Sequence, residues 1–154
     1  MNICIIPARG GSKRIPRKNI REFNGKPIIG WSIDAAKRAR CIDIVVVSTD
    51  DSEIASVAKS FGAEVPFIRP NNLADDFTGT IPVIQHAIEW HLSKNYNIST
   101  VCCLYATAPF VDHQLLEEGY QKLQSSGLSS PPSPGTDENP VKRTETFVTR
   151  LESS

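Results

Sequence analysis

The chain has 154 residues, 40% of them hydrophobic and 22% charged, with a formal net charge of zero. That length suits one domain with a real core, and the even balance of charge excludes a globally basic nucleic-acid binder. No apolar run is long enough to cross a bilayer and the N-terminus lacks a secretory leader's ordered features, so a cytoplasmic protein with no membrane partner is expected.

Asn2 to Ile6 is an apolar run that reads as a buried strand. It opens into Pro7 to Asn19, a loop with adjacent glycines at Gly10 and Gly11. Six cations (Arg9, Lys13, Arg14, Arg17, Lys18 and Arg21) precede the first acidic residue, Glu22. A strand that opens into a glycine-containing loop offers backbone N–H groups to an anion, and flanking Lys and Arg supply countercharge. The loop matches neither a G-x-x-x-x-G-K-[ST] phosphate loop nor a G-x-G-x-x-G fingerprint, so spacing alone says only that it is an anion site. A solvated basic loop, or one that touches RNA, is the alternative.

Pro27 to Arg38 suits a helix with proline in its first turn, and Asp43 to Ser48 a central parallel strand, apolar on both faces. Asp50 is placed to cap a second helix, with Glu53 three residues on, a stripe of Ile54, Val57, Ala58 and Phe61, and Gly62 as its stop. A carboxylate at this strand end could instead help hold a metal ion. Glu64 to Ile68 reads as a short third strand, at an edge because Pro66 cannot donate a ladder hydrogen bond. Arg69 to Thr80 is a polar loop whose arginine and hydroxyls could read a nucleobase edge, or whose Thr78 or Thr80 merely caps the next helix. That helix starts near Thr80 and Pro82 and is expected to bury Ile81, Ile84, Ile88 and Leu92. Thr100 to Tyr105 is a fourth strand and Gln114 to Gln124 a fourth helix.

This alternation predicts an α/β fold, a mostly parallel Rossmann-like sheet with helices on both faces. Ligands of such sheets bind beyond the carboxyl ends of the strands. Residues 1–124 form the expected nucleotide-binding domain. Residues 125–154, which open on a Ser/Pro/Gly tract, are expected to be largely disordered or divergent and to leave the sheet unfinished. An unfinished sheet has an open edge, so low solubility or aggregation is also expected. Cys4, Cys41, Cys102 and Cys103 have no C-x-x-C spacing and suit reduced packing residues. His86, His91 and His113 lack metal-ligand spacing and are expected at or near the surface.

Ile6 to Lys13 with Lys18 and Asn19, Val47 to Asp51, Gly62 to Val65, and Arg69-Pro70 through Asp76 together resemble the acylneuraminate cytidylyltransferase family. Val65 to Pro70, Asp76 to Thr80 and Tyr105 to Phe110 are most similar to its pseudaminic acid branch. The resemblance covers about residues 1 to 124 and implies a nucleotide-diphospho-sugar transferase fold. It also implies transfer of CMP from CTP to the anomeric hydroxyl of a nonulosonic acid, with release of pyrophosphate and use of Mg2+.

On that resemblance, Ala8, Arg9, Gly10, Gly11, Ser12, Lys18, Asn19, Arg69, Asp76 and Thr80 bind the nucleotide, and the local charge pattern adds Lys13. Arg9 and Lys18 carry the catalysis, and Tyr105 and Thr107 face the sugar. The partners implied are CTP and an acidic nine-carbon sugar, in a homodimer. The family's magnesium-anchoring aspartate and dimerisation arm lie in a second half that finds no counterpart here, so no metal ligand is assigned and a truncated or frame-shifted chain is expected. A non-catalytic CTP-binding remnant, or a cytidylyltransferase for sialic or 3-deoxy-octulosonic acid, remain the alternatives.

Overall fold

The computed structural model describes residues 1–126 and 147–150. In chain order its elements are β1 (Asn2–Pro7), a 3-10 turn (Lys18–Ile20), the short strands β2 (Glu22–Phe23) and β3 (Lys26–Pro27), and α1 (Ile28–Arg38). There follow β4 (Ile44–Ser48), α2 (Ser52–Ser60), a second 3-10 turn (Asn71–Leu73), α3 (Thr80–Ser93), β5 (Thr100–Cys103), α4 (His113–Ser126) and β6 (Phe147–Arg150).

The main sheet has the order β4-β1-β5-β6. β1 runs parallel to β4, with Ile3 opposite Ile44, and parallel to β5, with Ile3 opposite Val101. Alternation along β1 divides the core. Cys4 and Ile6 point to a cluster with Ile29, Ile33, Ile54, Ala58 and Leu116, from α1, α2 and α4. Ile3 and Ile5 point the other way, to Val46, Ala87 and Val101, where α3 packs. Successive side chains of a strand face opposite sides, so a strand covered on both must be apolar throughout. The α/β fold with helices on both faces is as expected.

Several local expectations are corrected. Glu64 to Ile68 is not a strand. Glu64 alone bridges to Val46, donating its N–H to Val45 O at 2.8 Å and accepting from Val47 N at 2.9 Å. Pro66, with no N–H, ends the pairing there. Phe147–Arg150 does form a strand, antiparallel to β5 with Thr100 opposite Arg150, so these four residues add to a sheet that was expected to lack them. The Ser/Pro tract beyond Ser126 lies outside the described residues.

α3 keeps only the middle of its expected stripe, with Ile84 and Ile88 half-buried against the Ile3 and Ile5 cluster and the two ends turned out. Val83, Ala87 and His91 are buried, whereas Ile81 is 72% and Leu92 49% exposed. His91, expected near the surface, is 1% exposed, with Nδ1 2.7 Å from Ala87 O and its ring edge-on to Trp90 and Tyr96. Neither Thr78 nor Thr80 caps this helix. Gly79 holds the capping position, and the Thr78 hydroxyl donates to Asn72 O and the Asp75 carboxylate.

The thiols match their expected packing role. Cys4 and Cys102 lie side by side in register in the buried sheet. The Cys102 contact and burial push the Cys4 thiol well above its ordinary value, and burial raises Cys41. Thiols held protonated in this way are poor nucleophiles and poor metal ligands.

Candidate functional site

Chain order and strand order diverge at β1. The chain leaves it to build β4 on one side and later returns to build β5 on the other. The loops after β1 and β5 therefore part company, and a crevice opens at the carboxyl end of the sheet. Four segments meet there: the loop after β1, the end of β4, the 69–80 loop and the stretch after β5.

The loop after β1 is pinned to the end of β4 through its backbone. Ala8, 1% exposed, donates its N–H to Ser48 O at 2.9 Å, and Gly10 N–H reaches Asp50 Oδ1 at 2.9 Å. A Cβ on Gly10 would stand 2.7 Å from Asp51 Oδ2 and 2.8 Å from Asp51 Cβ, so only glycine fits. The expected division of labour between the two aspartates is thereby corrected. Asp51, not Asp50, caps α2, accepting from Glu53 N and Ile54 N at 2.9 Å. Asp50 instead holds the loop.

Not every N–H of the loop is open to an anion. Those of Ala8 and Gly10 are taken as described, and Ser12 N–H turns back to Gly10 O at 3.1 Å. The N–H groups of Gly11 and Lys13 find no acceptor among the described residues. Asn19 Nδ2 donates to Arg9 O at 2.9 Å and so braces the loop from within.

The loop's cations are opposed in space though not in sequence. Arg9 Nη1 lies 2.6 Å and Lys13 Nζ 2.5 Å from the two oxygens of Asp76. Arg17 makes a fork to Asp51, Nη1 to Oδ2 at 2.6 Å and Nη2 to Oδ1 at 3.0 Å, and also pairs with Glu53. Lys13 and then Arg9 hold the Asp76 carboxyl below its ordinary value, and Arg17 does the same for Asp51. Among the described residues no carboxylate lies within ion-pair distance of Arg14, Lys18 or Arg21. Lys18 is exposed, and the Ser12 hydroxyl is half-buried.

Arg69 is a buried cation, 4% exposed. Its Nε donates to Ser48 Oγ at 3.2 Å, Nη2 to Ser48 O and Nη1 to Leu73 O at 3.5 Å. Burial lowers its pKa, with Asp50 opposing that shift. Thr80 Oγ1 lies 3.2 Å from Tyr105 Oη, which joins the start of α3 to the stretch after β5. Behind them Ser32 Oγ donates to Tyr105 O at 2.8 Å. Thr107 follows on that stretch, half-buried.

The structure thus brings Arg9, Lys13 and Asp76 together, and Thr80 with Tyr105. Among the described residues, Lys18 has no carboxylate within ion-pair distance. Sequence reading missed Arg17 as a structural clasp and the β2–β3 hairpin, whose Phe23 ring meets Phe110 edge-on at 5.8 Å between centroids. The signal for the hairpin was present in Asn24-Gly25, a pair that suits a two-residue turn, with φ of 48° and 87°. Among the described residues, no group of three His, Cys, Asp or Glu is placed to hold a metal. Among them, too, no helix is long and apolar enough to cross a membrane.

A pseudaminic acid cytidylyltransferase of Campylobacter jejuni subsp. jejuni serotype O:2 is 53% identical over 122 residues, which are 79% of this chain and 53% of that protein. A CMP-N,N'-diacetyllegionaminic acid synthase of Legionella pneumophila is 40% identical over 127 residues, 82% of this chain and 55% of that one. The chain therefore spans about half the length of the curated relatives it matches. In fold it is similar to a CMP:2-keto-3-deoxy-manno-octonic acid synthetase solved in complex with CTP. The TM-score is 0.67 at 17% identity, over 97% of this chain and 71% of that one. The family model described as cytidylyltransferase matches residues 3–151, and on that match the chain belongs to the cytidylyltransferase family.

Proposed function

We propose that this chain carries the nucleotide-handling part of an enzyme that moves CMP from CTP to the anomeric hydroxyl of a nonulosonic acid, pseudaminic acid foremost. The observation that carries the reading is the 53% identity to a relative of that name over 122 residues, 79% of this chain. In the reaction the sugar hydroxyl oxygen bonds to the α-phosphorus of CTP and loses its proton. The bond from that phosphorus to the bridging oxygen breaks, and pyrophosphate leaves with its electron pair. Such a transfer needs in-line positioning and neutralisation of charge on the leaving group more than covalent catalysis.

Arg9 and Lys18 supply that charge, with Lys13 beside them and the Ser12 hydroxyl and Gly11 N–H as donors to phosphate oxygens. Ala8, Gly10 and Asn19 keep the loop in place. A guanidinium has five N–H donors. Arg69 gives three to protein acceptors and keeps two for the carbonyl of a cytosine. Thr80 and Tyr105 stand where ribose and sugar would meet, with Thr107 beyond. Magnesium takes one or two carboxylates plus substrate phosphates, and Asp50, whose Oδ2 is not used by Gly10, fits as one such ligand. When bound, the ion would offset charge on the triphosphate. A homodimer at work in the cytoplasm belongs to the same reading.

A second reading is favoured by one observation, that the chain spans about half of its curated relatives. On it the chain binds CTP without turning it over. One assay separates the two. Purified chain is given CTP, magnesium and pseudaminic acid, and pyrophosphate is followed, with sialic, legionaminic and 3-deoxy-octulosonic acids in parallel. Release that needs both CTP and pseudaminic acid supports the enzyme. Heat of CTP binding without release from any sugar supports the silent binder, and neither heat nor release would sink both.

A further inference from the structure

Two cations of the loop after β1 share a single counterion. Asp76 Oδ1 accepts from Arg9 Nη1 at 2.6 Å, and Oδ2 lies 2.5 Å from Lys13 Nζ. The partners are 67 residues apart in sequence for the Arg9 contact, so the pair ties the 69–80 loop across the mouth of the crevice. A carboxylate there has the charge and the acceptor geometry of a phosphate oxygen pair.

The preceding residue shows that this is a matter of direction, not of composition. Asp75 carries the same charge but turns inward, accepting from Phe77 N–H at 3.0 Å and from Thr78 N–H and hydroxyl at 2.6 Å. It shapes the turn that presents Asp76. Asp76, by contrast, makes contact only with the two cations among the described residues. The Lys13 side chain is 83% exposed and those of Arg9 and Asp76 are 32% and 27%, so water screens both pairs and they hold the fold together only weakly. A contact that does little for stability yet occupies two site cations is suited to being exchanged.

We propose that Asp76 is a built-in competitor for polyphosphate: it occupies Arg9 and Lys13 until a chain of phosphates displaces it, which releases the 69–80 loop. The inference rests on the reading of the basic loop as a polyphosphate site, and it adds a threshold of affinity that an entering anion must exceed. A lone phosphate, with roughly 1.5 to 2 charges near neutrality, must evict a carboxylate that already has both contacts. A triphosphate brings more charge, and its linked groups reach Arg9, Lys13 and Lys18 together, so its second and third contacts are intramolecular.

The test is calorimetric titration of the full chain with inorganic triphosphate and with orthophosphate, in the absence of metal. Wild type is compared with Asp76→Asn and Asp75→Asn, and circular dichroism checks that each is folded. Asp76→Asn should bind triphosphate roughly five- to tenfold more tightly, the gain expected when two surface ion pairs no longer compete. Its gain for orthophosphate should be of similar size, because the same carboxylate must leave for either anion, while Asp75→Asn stays near wild type. If Asp76→Asn binds triphosphate no better than wild type, Asp76 is not a competitor, though the polyphosphate site stands. An equal gain in Asp75→Asn would show a general field of negative charge and overturn the proposal equally. If the folded proteins do not bind triphosphate at all, the polyphosphate reading fails and takes this inference with it.

Discussion

Asp50 and Asp51 are adjacent, identical side chains with different work. Sequence pattern places an acidic cap before α2 but not which of two neighbours supplies it, because that depends on where the backbone turns out of β4. The structure gives the cap to Asp51, and its carboxylate also takes the Arg17 fork. Arg17 holds φ at 54°, a conformation few side chains favour, and that clasp is what sets against its cost. Asp51→Ala should cost about 1–2 kcal/mol in urea unfolding, the usual range for loss of an N-cap. The pH dependence follows from the sign of the shift. Arg17 lowers the Asp51 pKa from its ordinary 3.8 in the folded state. The contribution is therefore complete above that ordinary value and is lost as pH falls through the lower folded one. The gap between wild type and Asp51→Ala should stay constant from pH 7 to 5 and close steadily below pH 3.8. A gap that persisted undiminished at the lowest pH where both proteins fold would assign it to packing rather than to the carboxylate.

Among the elements, α2 and the strands β1 and β4 were legible because a single local pattern specifies each. The α3 face was legible only in part, at Ile84 and Ile88. Its apolar residues form more than one row, and the bulkier row of Ile81, Ile84, Ile88 and Leu92 looks the better stripe. The helix instead buries Val83, Ala87 and His91 most deeply and seats Ala87 against Ile3, Ile5 and Val46, with Ile84 and Ile88 half-buried beside it. Small residues let a helix lie close to such a surface, and their selection depends on the partner layer. The same rule governs α1 against α2. Gly30 of α1 is buried, and a Cβ there would stand 2.7 to 3.0 Å from the ring of Phe61 at the end of α2. Gly30→Ala should cost about 1–3 kcal/mol through overpacking, despite the better helix propensity of alanine. Phe61→Leu in the same chain should restore part of it, with a coupling above about 0.5 kcal/mol in a double-mutant cycle. Strict additivity of the two urea-derived losses would show that the ring and the helix do not press on one another.

At the scale of the molecule, local sequence carries least, because sheet order and the meeting of loops are contacts between distant residues. The basic loop was readable as an anion site, and its glycines as close approaches. That Asp76 and Asp51 would stand against its cations was not, since each lies tens of residues away. The strand β6 was lost for a related reason. Phe147 to Arg150 is too short to stand out beside a Ser/Pro-rich stretch, and only the free edge of β5 gives it a partner. The two edges of the sheet are protected differently. β4 is shielded by the Glu64 bridge and by Pro66, whose ring offers no donor to an incoming strand. β5, buried over its whole length, is covered by β6, which forms the other edge. A chain ending at Ser126 should therefore expose the outer N–H and C=O groups of β5, the kind of edge that pairs with another molecule. It should sediment as a concentration-dependent mixture of larger species and melt at a lower temperature than the full chain, while α1, α2 and α3 keep their helical signal at low concentration. A monomer that melts with the full chain's midpoint would mean that β6 lies outside the cooperative unit and that β5 is guarded by other means.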